Sequence, residues 1–277
     1  MSRIAILTTQ RNDTVFLQKW LSYYSGAFGG KNLFVLLDGH DQQPPASHPD
    51  VNFIRLPHVE HPRLKGDKIR ARVKSHFAAG LFQHYDIVIG TDIDEFIAID
   101  PNVNLSLTDY LGRQTGHKSL SPLGLDVVQH KTLESAADFS RPLLGQRRFA
   151  IISDRYTKPA ILYKPLRWGA GLHRVKGHGY HIDPNLYLFH FGMVDASQST
   201  DRAESTALQN AGWKAHLKRR NAMFDIIAST EPRAGDPAII QTRETLQKKR
   251  RLTAWNKPKP LKKPMVITLP ERFASSV

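Results

Sequence analysis

Residues 85–100 read YDIVIGTDIDEFIAID. A short, mostly apolar run ends in three carboxylates, Asp92, Asp94 and Glu95, and the chain then turns apolar again at Phe96. A run of this kind, bounded on both sides by polar residues, is a strand buried on both faces, as in a parallel sheet covered by helices. In such a sheet ligands bind beyond the carboxyl ends of the strands, and Asp92 stands where IVIG runs out. If the backbone stays extended, Asp92 and Asp94 project to one side and Glu95 to the other. Crowded like charges resist ionising together unless a cation is shared. Hard oxygen ligands suit Mg²⁺ or Mn²⁺, and such an ion holds a diphosphate. The competing reading is a solvated acidic turn, which leaves the buried runs on both sides unexplained.

Working outward, Ile4–Leu7 form a short apolar run followed by TTQRND, in which Asn12 or Asp13 supplies a helix cap. Leu17, Trp20, Leu21 and Tyr24 recur at helical spacing and stop at SGAFGG. NLFVLLDG is a second strand ending at Asp38, and VNFIRL a third after a proline-rich loop. From Gly66 to Phe82, Ile69, Val73, Phe77 and Leu81 share a helix face, with Lys68, Arg70, Arg72 and Lys74 elsewhere. The order β-α-β, loop, β-α-β predicts an α/β fold with a mostly parallel, Rossmann-like sheet and helices on both faces. The second half is less regular. SLSPLGLDVVQH, FAIISDRYTKPAILYK and LYLFHF read as strands between polar loops, and residues 200–227 as a helix.

The chain has 277 residues, enough for a full core, and no cysteine, which excludes disulfides and zinc-thiolate sites. No window approaches a membrane span, and the expected location is the cytoplasm. A net charge of +14 invites a nucleic-acid or anionic-membrane partner. Eight of the positive charges, Lys248, Lys249, Arg250, Arg251, Lys257, Lys259, Lys262 and Lys263, fall in one acid-free segment whose prolines oppose a continuous helix. Residues 246–277 therefore read as a mostly extended basic tail, free in solvent or touching phosphates or anionic lipid. Only Trp255 and Phe273 offer stacking rings there, so nucleic acid is the weaker partner.

Asn12, Asp13, Leu17, Trp20, Leu21, Tyr24, Asp38 and the Asp92-x-Asp94-Glu95-Phe96 run occur in the order found in GT-A type glycosyltransferases. Over residues 3–100 the chain resembles the family 2-like branch of these enzymes related to glycosyltransferase family 92. The resemblance implies a GT-A fold over residues 1–245, with a nucleotide-sugar half (1–100), an irregular acceptor half (101–245) and the basic tail appended. It implies that Thr8, Thr9, Arg11 and Asp38, with Asp92, bind the nucleotide, and that Asp92 and Asp94 hold Mn²⁺ or Mg²⁺ on the diphosphate. It also suggests that a histidine from the second half completes the metal site, which points to His190 in LYLFHF. The implied reaction moves a sugar from a nucleotide-sugar, a UDP-sugar first among them, to a saccharide or lipid-linked acceptor with inversion.

For the general base, Asp126 and Asp154 both follow apolar runs, and Glu95 is an alternative for orienting the sugar or a metal-bound water. His173, in a glycine-rich loop, is further candidate material. The sequence departs from the family at Gly90 and Thr91, where relatives often carry a bulky aromatic. A haloacid dehalogenase-like phosphatase also places Asp-x-Asp after an apolar strand. That class uses its first strand, whereas two β-α units precede the motif here.

Overall fold

The computed structural model describes residues 2–114, 116–198, 214–248, 250–251 and 254–277. In chain order the first half contains β1 (Ile4–Gln10), α1 (Thr14–Phe28), β2 (Leu33–Asp38), β3 (Asn52–Leu56), α2 (Arg63–Leu81), β4 (Ile87–Gly90), β5 (Glu95–Ile99) and α3 (Leu107–Arg113). Then follow β6 (Ser119–Val128), β7 (Phe149–Ser153), β8 (Ile161–Leu162), β9 (Ile182–Met193), α4 (Lys214–Ser229), α5 (Gly235–Lys248), β10 (Arg250–Arg251), β11 (Ala254–Pro258) and β12 (Met265–Thr268).

Alternation along β1 explains the layers. Ile4 and Ile6 pack on the face that carries Leu17, Trp20, Leu21 and Tyr24 of α1. Ala5 and Leu7 point the other way, onto Ala71 and Ala78 of α2. Both faces of β1 are thus covered, as the apolar run requires. Of the two capping candidates, Asp13 is the N-cap of α1, accepting from the Phe16 amide at 3.1 Å. Asn12 beside it takes the left-handed conformation, φ 52°.

Strands β3, β2, β1 and β4 are parallel neighbours. Beyond β4 the sheet continues antiparallel through β8, β6, β7 and β12. β9 runs parallel to β6 and antiparallel to β5. The expected α/β sheet with helices on both faces is present; its four adjacent parallel strands belong to the first half, and one further parallel pair, β6 with β9, to the second. Of the helix expected over 200–227, residues 200–213 lie outside the described residues; Lys214–Ser229 is helical. Among the described residues no helix is long and apolar enough to cross a membrane.

Two expectations need correction. The buried stripe of α2 is Ala71, Lys74, Ser75 and Ala78, while Val73, Phe77 and Leu81 are only partly buried at its flank. Small side chains let the helix lie close to its neighbours, so that the Ser75 hydroxyl accepts from the Trp168 amide at 3.0 Å. The C-terminal segment, in turn, is not a solvated tail. The division at 245/246 falls inside α5, and β12 pairs with β7 from Met265–Ile152 to Thr268–Phe149. Val266, Ile267, Phe273 and Val277 are buried, and the Leu143 amide donates to the Val277 carbonyl at 2.6 Å. The prolines that forbid a helix merely flank the MVIT run, whose β-branched residues suit a strand.

Removing residues 265–277 strips Val266, Ile267, Leu269, Phe273 and Val277 from the core. At about 1.5–3 kcal/mol each, the loss rivals the stability of an average domain. The truncated chain is expected to lose cooperative thermal unfolding; a free tail would leave the melting curve unchanged.

Candidate active site

The acidic turn is tied down before it is charged. Lack of a side chain at Gly90 makes room for the Trp168 ring, since a Cβ there would lie 2.7 Å from it. The aromatic bulk missing at position 90 is thus supplied by Trp168, whose indole also donates to the Pro159 carbonyl at 2.8 Å. The Thr91 hydroxyl accepts from Trp20 Nε1 at 2.9 Å, and its carbonyl accepts from the Thr8 hydroxyl at 3.1 Å and from Lys74 Nζ at 2.7 Å. Glu95, fully buried, closes the turn by accepting from the Asp92 amide at 2.9 Å.

Two lysines meet these carboxylates. Lys74 Nζ donates to Asp92 Oδ1 at 2.9 Å. Lys158 Nζ lies 3.5 Å from Asp92 Oδ2 and 2.6 Å from Glu95 Oε1, with no side-chain surface open to solvent. The segment carrying Lys158 is positioned by Gly124 of β6. A Cβ at Gly124 would overlap the backbone of Tyr156 and Thr157, and the Gly124 amide donates to the Thr157 hydroxyl at 3.0 Å. Surrounding protein acts to raise the Asp92 pKa, yet Lys74 and Lys158 hold it well below the carboxylate range. Burial pushes Glu95 up against the pull of Lys158; the same burial would discharge Lys158, but Glu95 and Asp92 raise it instead. Taking away one member of such a buried pair costs about 3–5 kcal/mol, because the other is left uncompensated.

A second cluster crosses three strands. Glu95 of β5 is in register with His190 of β9, which is in register with Asp126 of β6. His190, buried, is hydrogen-bonded through Nδ1 to Asp126, and its Nε2 lies 3.3 Å from Asp94 Oδ2. The Tyr156 ring stacks on the imidazole at 3.8 Å between centroids. Arg220 of α4 reaches within 4.0 Å of Asp94, through space that any side chain at Gly192 would fill.

At the same sheet edge, beyond β1 and β2, Arg11 donates to the Asp38 carbonyl at 2.6 Å and to Asp41 at 3.1 Å. His58 pairs with Asp38 at 3.0 Å. Thr8 is fully buried and serves the Thr91 carbonyl, whereas Thr9 is partly open. His173 sets Nδ1 on the Arg155 carbonyl at 2.9 Å; burial, then the charge of Lys158, lowers its pKa to about 4, leaving it neutral at pH 7.

The sequence-predicted residues thus separate into groups. Asp92, Asp94, Glu95, Asp126 and His190 come together, as do Arg11 and Asp38, while Thr8 is a structural tie. Asp126 faces His190 and is occupied in holding that ring. Lys74, Lys158, Tyr156, Arg220, Asp41 and His58 were missed. For Lys74 a signal existed: it interrupts the small-residue stripe Ala71, Ser75, Ala78.

The expected Mn²⁺ or Mg²⁺ set of Asp92, Asp94 and His190 does not fit as arranged. Both Asp92 oxygens face lysine ammoniums, and both His190 nitrogens are engaged, Nδ1 by Asp126 and Nε2 between Asp94 and the Arg220 guanidinium at 3.2 Å. Among the described residues no group of three or more His, Asp or Glu side chains is disposed to hold a metal ion.

Burial alone would lower the His190 pKa, but Asp94 and Asp126 raise it from 6.5 to about 9. A group whose pKa rises on folding stabilises the fold fully below its unfolded value and loses that contribution as pH climbs through the folded one. Unfolding free energy from urea titrations is therefore expected to decline between pH 6.5 and about 9, and a His190→Gln variant to show a flatter profile.

No protein-family model matches the chain, and no curated protein matches it in sequence. Among solved structures it is similar to the mannosyltransferase PcManGT from Pyrobaculum calidifontis, in complex with GDP-Man and Mn²⁺, at 12% identity and a TM-score of 0.39, covering 80% of this chain and 70% of that one. It is similar to mannose-1-phosphate geranyltransferase from Thermus thermophilus at 10% identity and a TM-score of 0.33, covering 98% and 76% of the two chains. A third likeness is to CMP:2-keto-3-deoxy-manno-octonic acid synthetase complexed with CTP, at 12% identity and a TM-score of 0.31, covering 87% and 96%.

Proposed function

We propose that the chain is a glycosyltransferase that moves a sugar from a nucleotide-sugar donor, a UDP-sugar, to a saccharide or lipid-linked acceptor, with inversion. One observation carries this reading: the acidic turn after β4 and the Arg11, Asp38, Asp41 and His58 group at the ends of β1, β2 and β3 share the carboxyl edge of one parallel sheet. That edge is where an open α/β sheet receives a nucleotide. In this reading Thr9, Arg11 and Asp38 take the base and ribose. Asp92, fixed by two lysines yet 49% exposed along its side chain, accepts hydrogen bonds from donor hydroxyls. Glu95 keeps the turn closed. Asp126 holds His190 against Asp94, and Tyr156 covers the imidazole by stacking on it.

The phosphatase alternative is weakened by the same geometry. Asp92 follows the fourth strand of the chain, and a nucleophile held between two lysines is poorly placed to attack a phosphorus atom.

Calorimetric titration of UDP, GDP and CDP is expected to show one nucleotide binding, weakened at least about tenfold by Asp92→Asn and by Arg11→Ala, the loss of one or two charge-assisted hydrogen bonds. Failure of all three nucleotides to bind would remove the transferase reading.

Lys259, Lys262 and Lys263 are exposed on the loop before β12, a compact positive patch suited to an anionic membrane surface. Reversing all three to Glu is expected to abolish sedimentation with phosphatidylglycerol vesicles at low salt while leaving the fold intact. Equal sedimentation of both proteins would exclude this docking.

A further inference from the structure

Lys158 is placed as a bound cation would be. Its ammonium lies among three oxygens: it donates to the Gly171 carbonyl at 3.3 Å and stands at ion-pair distance from Glu95 Oε1, 2.6 Å, and Asp92 Oδ2, 3.5 Å. It has no solvent contact of its own. Lys74 holds the opposite oxygen of Asp92 together with the Thr91 carbonyl, again almost entirely buried. Fully buried lysines are rare and persist only where paired. Here two of them take up the negative charge of the motif that a divalent ion would otherwise share. The second cluster repeats the pattern, with His190 and Arg220 set against Asp94 and Asp126. Each of the four carboxylates thus already faces a nitrogen base at ion-pair or hydrogen-bond distance, where a hard cation would need its oxygens free.

We infer that Lys158, backed by Lys74, is the resident cation of this site, and that the site takes up a nucleoside diphosphate without Mn²⁺ or Mg²⁺. The second half of that statement rests on the transferase reading above; the first does not. Because the lysines occupy the carboxylates, removing either charge frees oxygens that a metal ion can use. A neutral residue at position 158 or 74 therefore converts the cluster into a divalent-ion site, an effect opposite to what loss of a merely structural ion pair produces.

The probe for the first half is Mn²⁺ alone, followed by electron paramagnetic resonance in wild type, Lys158→Gln and Lys74→Gln. The expected result is no saturable site in wild type and one Mn²⁺ bound at least about tenfold more tightly in either lysine variant, a conservative reading of one unit charge removed at contact distance. Should Lys158→Gln fail to fold, the wild-type and Lys74→Gln titrations carry the test. One equivalent of Mn²⁺ held by wild type and lost in Asp92→Asn would overturn the inference, as would folded lysine variants that bind Mn²⁺ no better than wild type. For the second half, UDP affinity is measured in EDTA and in Mn²⁺. Affinities within about twofold support it, and binding seen only with Mn²⁺ overturns it. Absence of UDP binding in both conditions overturns the transferase reading and the diphosphate half with it, leaving the Mn²⁺ result to decide the first half.

Discussion

An ammonium removed from water must be given oxygens in its place, and much of this structure is arranged to give Lys158 its oxygens. Glu95 is brought to it by the turn after β4, which is held through Thr91 by Trp20, Thr8 and Lys74. Lys158 itself reaches the turn because Gly124 lets the segment after β7 lie directly on β6. Gly90 and Trp168 close the same space from the α2 side. The desolvation of these charges is offset only while every partner is in place, so the packing of α1, α2 and β6 and the electrostatics of the motif are one constraint.

Much of the first half was legible because local patterns and tertiary burial agree there. The apolar run of β1 and the stripe of α1 both read as buried, and both are buried, β1 on its two faces. Helix α2 was harder. Its large apolar residues suggest a face that is only flanking, while the contact is made by Ala71, Lys74, Ser75 and Ala78, a stripe that no hydrophobicity count would choose. The C-terminal segment was misread for a related reason. Its charge and prolines dominate the composition, and the four residues Met265–Thr268 that decide its place are short enough to be lost in the average.

In the site, single residues were readable but their partners were not. Asp92, Asp94 and Glu95 announce themselves as a motif, and His190 and Asp126 stand at positions where strands carry polar residues inward. That His190 lies between Asp126 and Glu95 depends on the register of β5, β9 and β6, which no local pattern encodes. Lys158 is the extreme case. Its counter-charges are more than sixty positions earlier in the chain, and nothing in YTKPAI marks the lysine as buried.

The same separation bears on how the chain reaches its fold. Residues up to about 100 carry four adjacent parallel strands and the helices that cover them, so these elements pair within one stretch of chain. Within that part Glu95 has no cation of its own; Lys158, His190 and Arg220 arrive only with later pairings. Until those form, a carboxylate destined for complete burial must stay hydrated or take up a proton. Closure of the second half over the first is therefore tied to neutralising the motif, which makes the two halves one cooperative unit and the early half, though regular in pattern, unfit to stand alone.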